Sequence, residues 1–348
     1  MIKQTLIRGK TMATIKTIAR MAGVSTSTVS IILNGKAKER KISSATEKEV
    51  LAIAASIGYR HNVGAASLRA ADSTFHYQIV IFWIADYRAE MMTRFFKAIE
   101  QEIMSAPVPC SVLLKSYEPG KLNLAMTDEL IRSCHGIIIC NSSEKDLEII
   151  ENSDFLRPIV LYNRYSKKYS AVTMDDKSIG LIPAQAFASH GKRNPLIITS
   201  EATFNGMNLR ANVFSYSCTE NGMNTPPVCC TPPTAKGGYD ATIHALEKYP
   251  TTDCIFYSTD SMIPGAVKAF FQKSVFIPGQ IEIIAVGNNP LDRCEYTIPS
   301  VSVVYLHMEK MAVQCFQALY RLMTYEQQEP EFINLPVTYI PRDSCPEY

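Results

Sequence analysis

Between Thr14 and Leu33 the chain reads TIKTIARMAGVSTSTVSIIL, two short apolar-periodic segments parted by a single glycine. Ile15, Ile18, Ala19 and Ala22 recur at helical spacing behind Thr14, whose hydroxyl can cap a helix. Gly23 breaks the pattern. Ser25 can cap a second helix, whose Val29, Ile32 and Leu33 face back toward the first. Two short helices joined by a tight glycine turn form a helix-turn-helix. A third helix follows: Ser44-Ala45-Thr46-Glu47 is a capping-box pattern, Val50, Leu51, Ile53, Ala54 and Ile57 supply a buried face, and Gly58 ends it.

The charge distribution says what such a head meets. Residues 1–72 hold twelve Lys/Arg against four Asp/Glu, whereas the whole chain, with 35 against 33, carries a net charge of only +2. A basic head on an acidic body points to a polyanionic partner. The second helix opens on Thr26-Ser27-Thr28, small polar residues that fit close to base edges, and Lys36, Lys38, Arg40 and Lys41 flank it, placed to meet phosphates.

These residues resemble the lactose-repressor (LacI/GalR) family of bacterial transcription regulators. The resemblance rests on A-x-x-A-G-V-S-x-x-T-V-S-x-x-L-N from Ala19 to Asn34, I-S-S-A-T from Ile42 to Thr46, G-Y-R-H-N from Gly58 to Asn62, and Leu68. Met12 aligns with the usual family start, so residues 1–11 are expected to be an extension. The resemblance implies a helix-turn-helix DNA-binding domain over 12–60, with Thr14, at its first cap, among the DNA-binding residues. It also implies that Thr26 and Ser27 read base edges, and that Ser25, Thr28, Asn34, Ser43, Thr46 and Tyr59 touch the phosphate backbone. For Ser25 and Ser43 helix capping and phosphate contact are both open. Ile31 stands where many family members carry a guanine-reading arginine and can offer only apolar contact, for example to a thymine methyl.

Residues 61–72 are expected to form a hinge. A helix this short is marginal alone. In the family such a segment becomes helical when two copies meet in the minor groove. Asn62, Ala65 and Leu68 lie three apart on one face, and Leu68 matches the residue that wedges into the central base step.

From Tyr77 the texture alternates between apolar strands and amphipathic helices. Strands are expected at Ile79–Trp83, Ser111–Lys115, Gly136–Cys140, Pro158–Tyr162, Pro195–Thr199, Cys254–Tyr257 and Ile281–Val286, with helices between. Two such β-α series imply two doubly wound parallel-sheet subdomains. The resemblance makes residues 73–348 a periplasmic-binding-protein-like α/β body for effector binding and dimerisation, its chain crossing between lobes near 174, 295 and 326. Ligands of open α/β sheets bind at the carboxyl ends of strands. The candidate effector residues are therefore Trp83, Ile84, Asp86, Tyr87, Asn163, Arg210, Thr259, Asp260 and Asn289, with Trp83 at the cleft mouth. Arg210 matches a family arginine that grips hydroxyls or carboxylate. Thr259 and Asn289 replace residues typical of sugar readers, yet asparagine still donates and accepts to hydroxyls.

Other classes find little support. No H-E-x-x-H, G-x-S-x-G or Walker-A pattern occurs. Ten cysteines without a C-x-x-C read as reduced, buried thiols, so no catalytic residue, metal or cofactor is expected. The longest apolar run, Ile79 to Ala85, is too short to span a bilayer, and the N-terminus lacks the apolar core of a secretory signal, so a cytoplasmic protein with no membrane partner is expected. The expectation is a DNA-binding transcription regulator, a repressor working as a homodimer on a pseudo-palindromic double-stranded operator. No leucine heptad precedes the last residue, Tyr348, so a dimer is expected and not a tetramer. A small molecule, a sugar or sugar derivative, sets its affinity. A nucleoside or purine effector is the alternative, and a solute-binding protein a more distant one.

Overall fold

The head folds as its periodicity requires. In a computed structural model, which describes residues 14–33, 35–57, 59, 76–86, 89–202, 204–324 and 329–347, helix α1 spans Ile15–Ala22, α2 Thr26–Leu33 and α3 Ser44–Ser56. Ile18, Val29, Ile32, Val50 and Ala54 meet in one small core. Gly23 ends α1 at φ 64°, in the left-handed region that glycine enters without a Cβ penalty. The expected extension (1–11), the hinge (61–72), Gly58 and Tyr87 lie outside the described residues.

The body opens with β1 (Tyr77–Ile84), α4 (Ala89–Ser105), β2 (Cys110–Tyr117), α5 (Leu122–Ala125), α6 (Asp128–Ser133), β3 (Gly136–Cys140), α7 (Glu144–Glu151), β4 (Ile159–Tyr162) and β5 (Ser170–Met174). A second series follows: α8 (Asp176–Ser189), β6 (Pro195–Thr199), α9 (Asn205–Glu220), β7 (Val228–Cys230), α10 (Ala235–Lys248), β8 (Cys254–Tyr257), α11 (Ile263–Gln272), β9 (Glu282–Gly287), α12 (Asp292–Glu295) and β10 (Ser302–Tyr305). The chain closes with α13 (Met308–Thr324), β11 (Phe332–Leu335) and β12 (Thr338–Ile340). Two six-stranded sheets result, ordered β11-β5-β4-β3-β1-β2 and β12-β10-β9-β8-β6-β7. All pairings are parallel except that of β12 with β10. The two doubly wound subdomains read from the alternation are present.

Burial on both faces explains the unbroken apolar strands. Along β1, Tyr77, Ile79, Ile81 and Trp83 pack into the core shared with α4 and α13, while Val80, Phe82 and Ile84 pack on the opposite face with Leu122 and Met126. Among the described residues no helix is long and apolar enough to cross a membrane.

Two of the three expected lobe crossings are misplaced. The first lies where expected, after β5, at Asp175. The segment around 295 joins β9 to β10, which pair with each other, so it stays within the second lobe. The crossing comes at Leu306-His307, before α13 packs on β3, β4 and β5. Residue 326 lies between α13 and β11, both on the first sheet, and the return crossing falls between Leu335 and Thr338. The strands that set these crossings, β10, β11 and β12, have three or four residues each, too few for a clear period.

Candidate ligand cleft and nucleic-acid interface

On the head, short polar side chains fix the helix starts. Thr14 Oγ1 accepts the Thr17 N–H at 3.1 Å, Ser25 Oγ accepts the Thr28 N–H at 3.0 Å and Ser43 Oγ accepts the Thr46 N–H at 3.1 Å. The start of α3 is therefore capped by Ser43, one residue before the capping box expected at Ser44–Glu47. Glu47 is turned toward Arg132 of the first lobe, 3.2 Å away, and does not reach back over the helix start. Thr26 and Ser27 are exposed on the first turn of α2, while Thr28, Ile31, Thr46 and Tyr59 are half-buried. Lys36, Lys38, Arg40 and Lys41 are exposed beside α2. Asn34, Asn62, Ala65 and Leu68 lie outside the described residues.

Between the lobes the strand ends converge on a narrow cleft lined by Asn163, Arg210, Thr259 and Asn289, four of the nine candidate effector residues. Arg210 is placed by close helix packing. A Cβ on Gly180 of α8 would lie 2.2 Å from the Arg210 carbonyl, so glycine lets α9 approach, and Arg210 Nε then donates to Asp176 Oδ1 at 2.7 Å. Asn163 follows β4 at φ 58°, a left-handed turn that aims it into the cleft. Asn289 presents its N–H to Asp260 Oδ2 at 2.9 Å and its amide to Asp260 Oδ1. Burial pushes the Asp260 carboxyl above the usual range, and the bonds from Asn289 oppose that push. Asp260 thus holds Asn289 in place and does not itself line the cleft.

Trp83 and Ile84 correct the sequence reading. Trp83 is 3% exposed and packs on Phe95 and Tyr162 with ring centroids 5.5 and 6.0 Å away. The pleat of β1 turns Trp83 into the helix layer and Ile84 into the opposite core, so neither reaches the cleft. Asp86 is half-buried beyond β1 and does not line it either.

The cleft also gathers residues the motif reading missed: Met91, Ser200, Phe204, Met207, Ser258 and Asn288. Ser200 and Ser258 directly follow β6 and β8, so the strand-end rule could have found them. Ser258 Oγ is buried and has no hydrogen-bond partner among the described residues. Phe204 carries no local signal. Its ring lies 3.8 Å from the Arg164 guanidinium and 5.5 Å from that of Arg210. Arg164 is held in turn by the carbonyls of Ser142, Asn163 and Asn141.

Polar clasps span the cleft. Glu144 of α7 accepts the Asn205 N–H at 2.6 Å. Arg94 of α4 donates to the Asn288 carbonyl, to Glu309 and, at 2.7 Å, to the Tyr305 hydroxyl. Burial would raise the Glu309 carboxyl, but the bond and charge of Arg94 outweigh it and hold it below its ordinary value. The remaining cavity is about 40 Å³, room for a few waters. It adjoins a wider groove of about 530 Å³ between the lobes, lined among others by Glu144, Asn163, Arg164, Asp176, Phe204 and Asn205.

Comparison with known proteins follows the same division. Residues 14–62 match bacterial regulatory proteins of the lacI family, and residues 184–345 match the periplasmic binding protein-like domain. The transcriptional regulator GalS of Salmonella typhimurium is 25% identical over 86% of this chain and 87% of its own length. The transcriptional repressor PurR of Pasteurella multocida is 24% identical over 96% of this chain and 98% of its own. A LacI family transcription regulator from Clostridium acetobutylicum, solved by crystallography, superposes with a TM-score of 0.72 at 26% identity, covering 76% of this chain and 99% of that one.

Proposed function

The chain belongs to the lacI family of bacterial regulatory proteins and is a transcription repressor of that family, and from this premise we propose that its DNA affinity is set by a small molecule held between its two lobes. The observation that carries the reading is the pairing of an exposed polar first turn on α2 with an interlobe cleft lined by convergent polar side chains.

On DNA, Thr26 and Ser27 read base edges in the major groove and Ile31 adds apolar contact. Ser25, Thr28, Asn34, Ser43, Thr46 and Tyr59 meet phosphates, with Ser25 and Ser43 also capping their helices. Asn62, Ala65 and Leu68 enter the minor groove when two chains meet. Two chains are needed for a pseudo-palindromic site. Exposed apolar side chains on the body support such a pairing: Leu113 and Leu114 on the edge strand β2, and Phe271, Phe276 and Ile298 on the second lobe, at 84%, 72% and 90% exposure for the last three. A regulator of this kind works in the cytoplasm.

The effector is a sugar or sugar derivative. Asn163, Arg210, Ser258 and Asn289 offer donors and acceptors suited to several hydroxyls, and the partnerless Ser258 hydroxyl gains a bond on binding. A nucleoside or purine is the second reading, favoured by Phe204, an aromatic ring on the cleft wall already stacked against arginine. Effector shifts the lobes through its differential affinity for two arrangements of the body. Calorimetric titration of the full-length protein with monosaccharides, disaccharides, sugar phosphates and nucleosides tests this. Saturable binding by one class, lost in Arg210→Ala, supports it; binding unaffected by Arg210→Ala counts against the cleft.

A further inference from the structure

Far from the cleft, at the end of the second sheet where its parallel strands begin, three side chains of different chemistry converge. His190 caps the C-terminus of α8, Glu282 opens β9, and Cys345 follows β12 in the C-terminal segment. Glu282 Oε2 lies 2.8 Å from His190 Nδ1 and 3.3 Å from Cys345 Sγ, and Cys345 Sγ lies 3.7 Å from His190 Nδ1. We propose that these three donors form a binding site for a zinc-like divalent cation that fastens the C-terminal segment to the second lobe.

The geometry favours a metal over a nucleophile. A Cys-His-Glu relay uses both imidazole nitrogens, one toward the thiol and one toward the carboxylate. Here thiol and carboxylate both approach the same nitrogen, so the three donor atoms cluster around one small space, all within 4.8 Å of one another. Bonds of about 2.0–2.3 Å at tetrahedral angles put zinc's donors roughly 3.3–3.6 Å apart. The sulfur–carboxylate separation of 3.3 Å falls in this range and the sulfur–imidazole separation of 3.7 Å lies just beyond it, while the histidine–carboxylate pair has to open by about 0.5 Å. A mixed nitrogen, oxygen and sulfur set suits zinc, whereas calcium and magnesium take oxygen.

The donors are also fixed from behind. The Cys345 carbonyl accepts the Tyr339 and Ser302 hydroxyls, both at 3.0 Å, and its N–H donates to the Arg342 carbonyl at 3.1 Å. Lys192 Nζ sits 3.2 Å from Glu282 Oε1, the other carboxylate oxygen, leaving Oε2 as the ligand atom. On binding, the thiol proton leaves to water as the sulfur–metal bond forms, the proton between His190 Nδ1 and Glu282 leaves that nitrogen so that Nε2 carries the ring proton, and a water completes the fourth position.

The test uses the full-length protein and Co²⁺ as a spectroscopic probe, then Zn²⁺ in competition with a chromophoric chelator. One equivalent of Co²⁺ is expected to give a thiolate charge-transfer band with tetrahedral visible bands, both abolished by Zn²⁺. Cys345→Ser loses the thiolate band and weakens Zn²⁺ binding more than ~100-fold, the upper range for losing a supporting residue. Cys230→Ser, at an exposed cysteine, keeps both. If Cys345→Ser does not fold, His190→Gln answers instead through the loss of stoichiometric Zn²⁺ binding. Absence of a thiolate band in the unaltered protein, persistence of the band in Cys345→Ser, or full-strength Zn²⁺ binding by His190→Gln overturns the site and leaves a hydrogen-bonded cluster neutralised by Lys192.

Discussion

Glu144 on the first lobe accepts the backbone N–H of Asn205 at 2.6 Å and its side-chain amide at 3.0 Å, and Asn205 is the first residue of α9 on the second lobe. The carboxylate thus clasps the lobes across the rim of the cleft. Glu144 is exposed, so the clasp contributes about 1 kcal/mol. Glu144→Ala is expected to favour the open arrangement and weaken effector binding by roughly fivefold, with the head's DNA contacts untouched. Calorimetry with the effector and anisotropy with DNA separate the two effects.

On the head, two neighbouring serines are expected to behave differently. Ser25→Ala removes the cap from the Thr28 N–H and costs about 1 kcal/mol of stability. Ser27→Ala, at an exposed position without a capping bond, leaves stability within about 0.5 kcal/mol. It lowers operator affinity while non-specific binding holds. Thermal melts and competition binding against unrelated DNA read these outcomes.

His135 supplies a pH signature. Burial, with Arg157 nearby, lowers its pKa to about 4, and its Nδ1 accepts the Gln78 N–H at 2.8 Å. The folded value lies below the unfolded one, so the neutral ring contributes stability that is present above about pH 6.5 and is lost as pH falls toward 4. The loss reaches at most about 3 kcal/mol. Denaturant midpoints at pH 7 and pH 5 should differ less in His135→Gln than in the unaltered protein.

Trp83 is the sole tryptophan, and its burial between Phe95 and Tyr162 fixes what its fluorescence reports. Emission should be shielded from iodide, and effector should alter it only through rearrangement of the core. Strong iodide quenching in the folded protein would contradict this packing.

Much of this was legible because it lies in local pattern. The Gly23 break, the Ser25 cap and the apolar stripes of α1 and α2 each sit within a few residues, and the long buried strands β1, β3 and β8 announce themselves as apolar runs. Cleft residues at strand ends, Asn163 and Thr259, followed from topology. Trp83 did not, because a one-residue difference in pleat decides between core and cleft. Phe204 was invisible because its neighbours Arg164 and Arg210 are brought to it by folding. The second and third crossings escaped because short strands and a distant antiparallel return carry no periodicity of their own.

Binding selection from random double-stranded DNA with the full-length protein, followed by anisotropy on the selected site across a salt series, tests whether this chain is an effector-controlled, sequence-specific DNA-binding dimer. A pseudo-palindromic site bound by two chains is expected, with affinity falling steeply as salt rises and shifting when the cognate effector is added. Recovery of no palindromic preference, or a selected site whose affinity ignores salt, would contradict it.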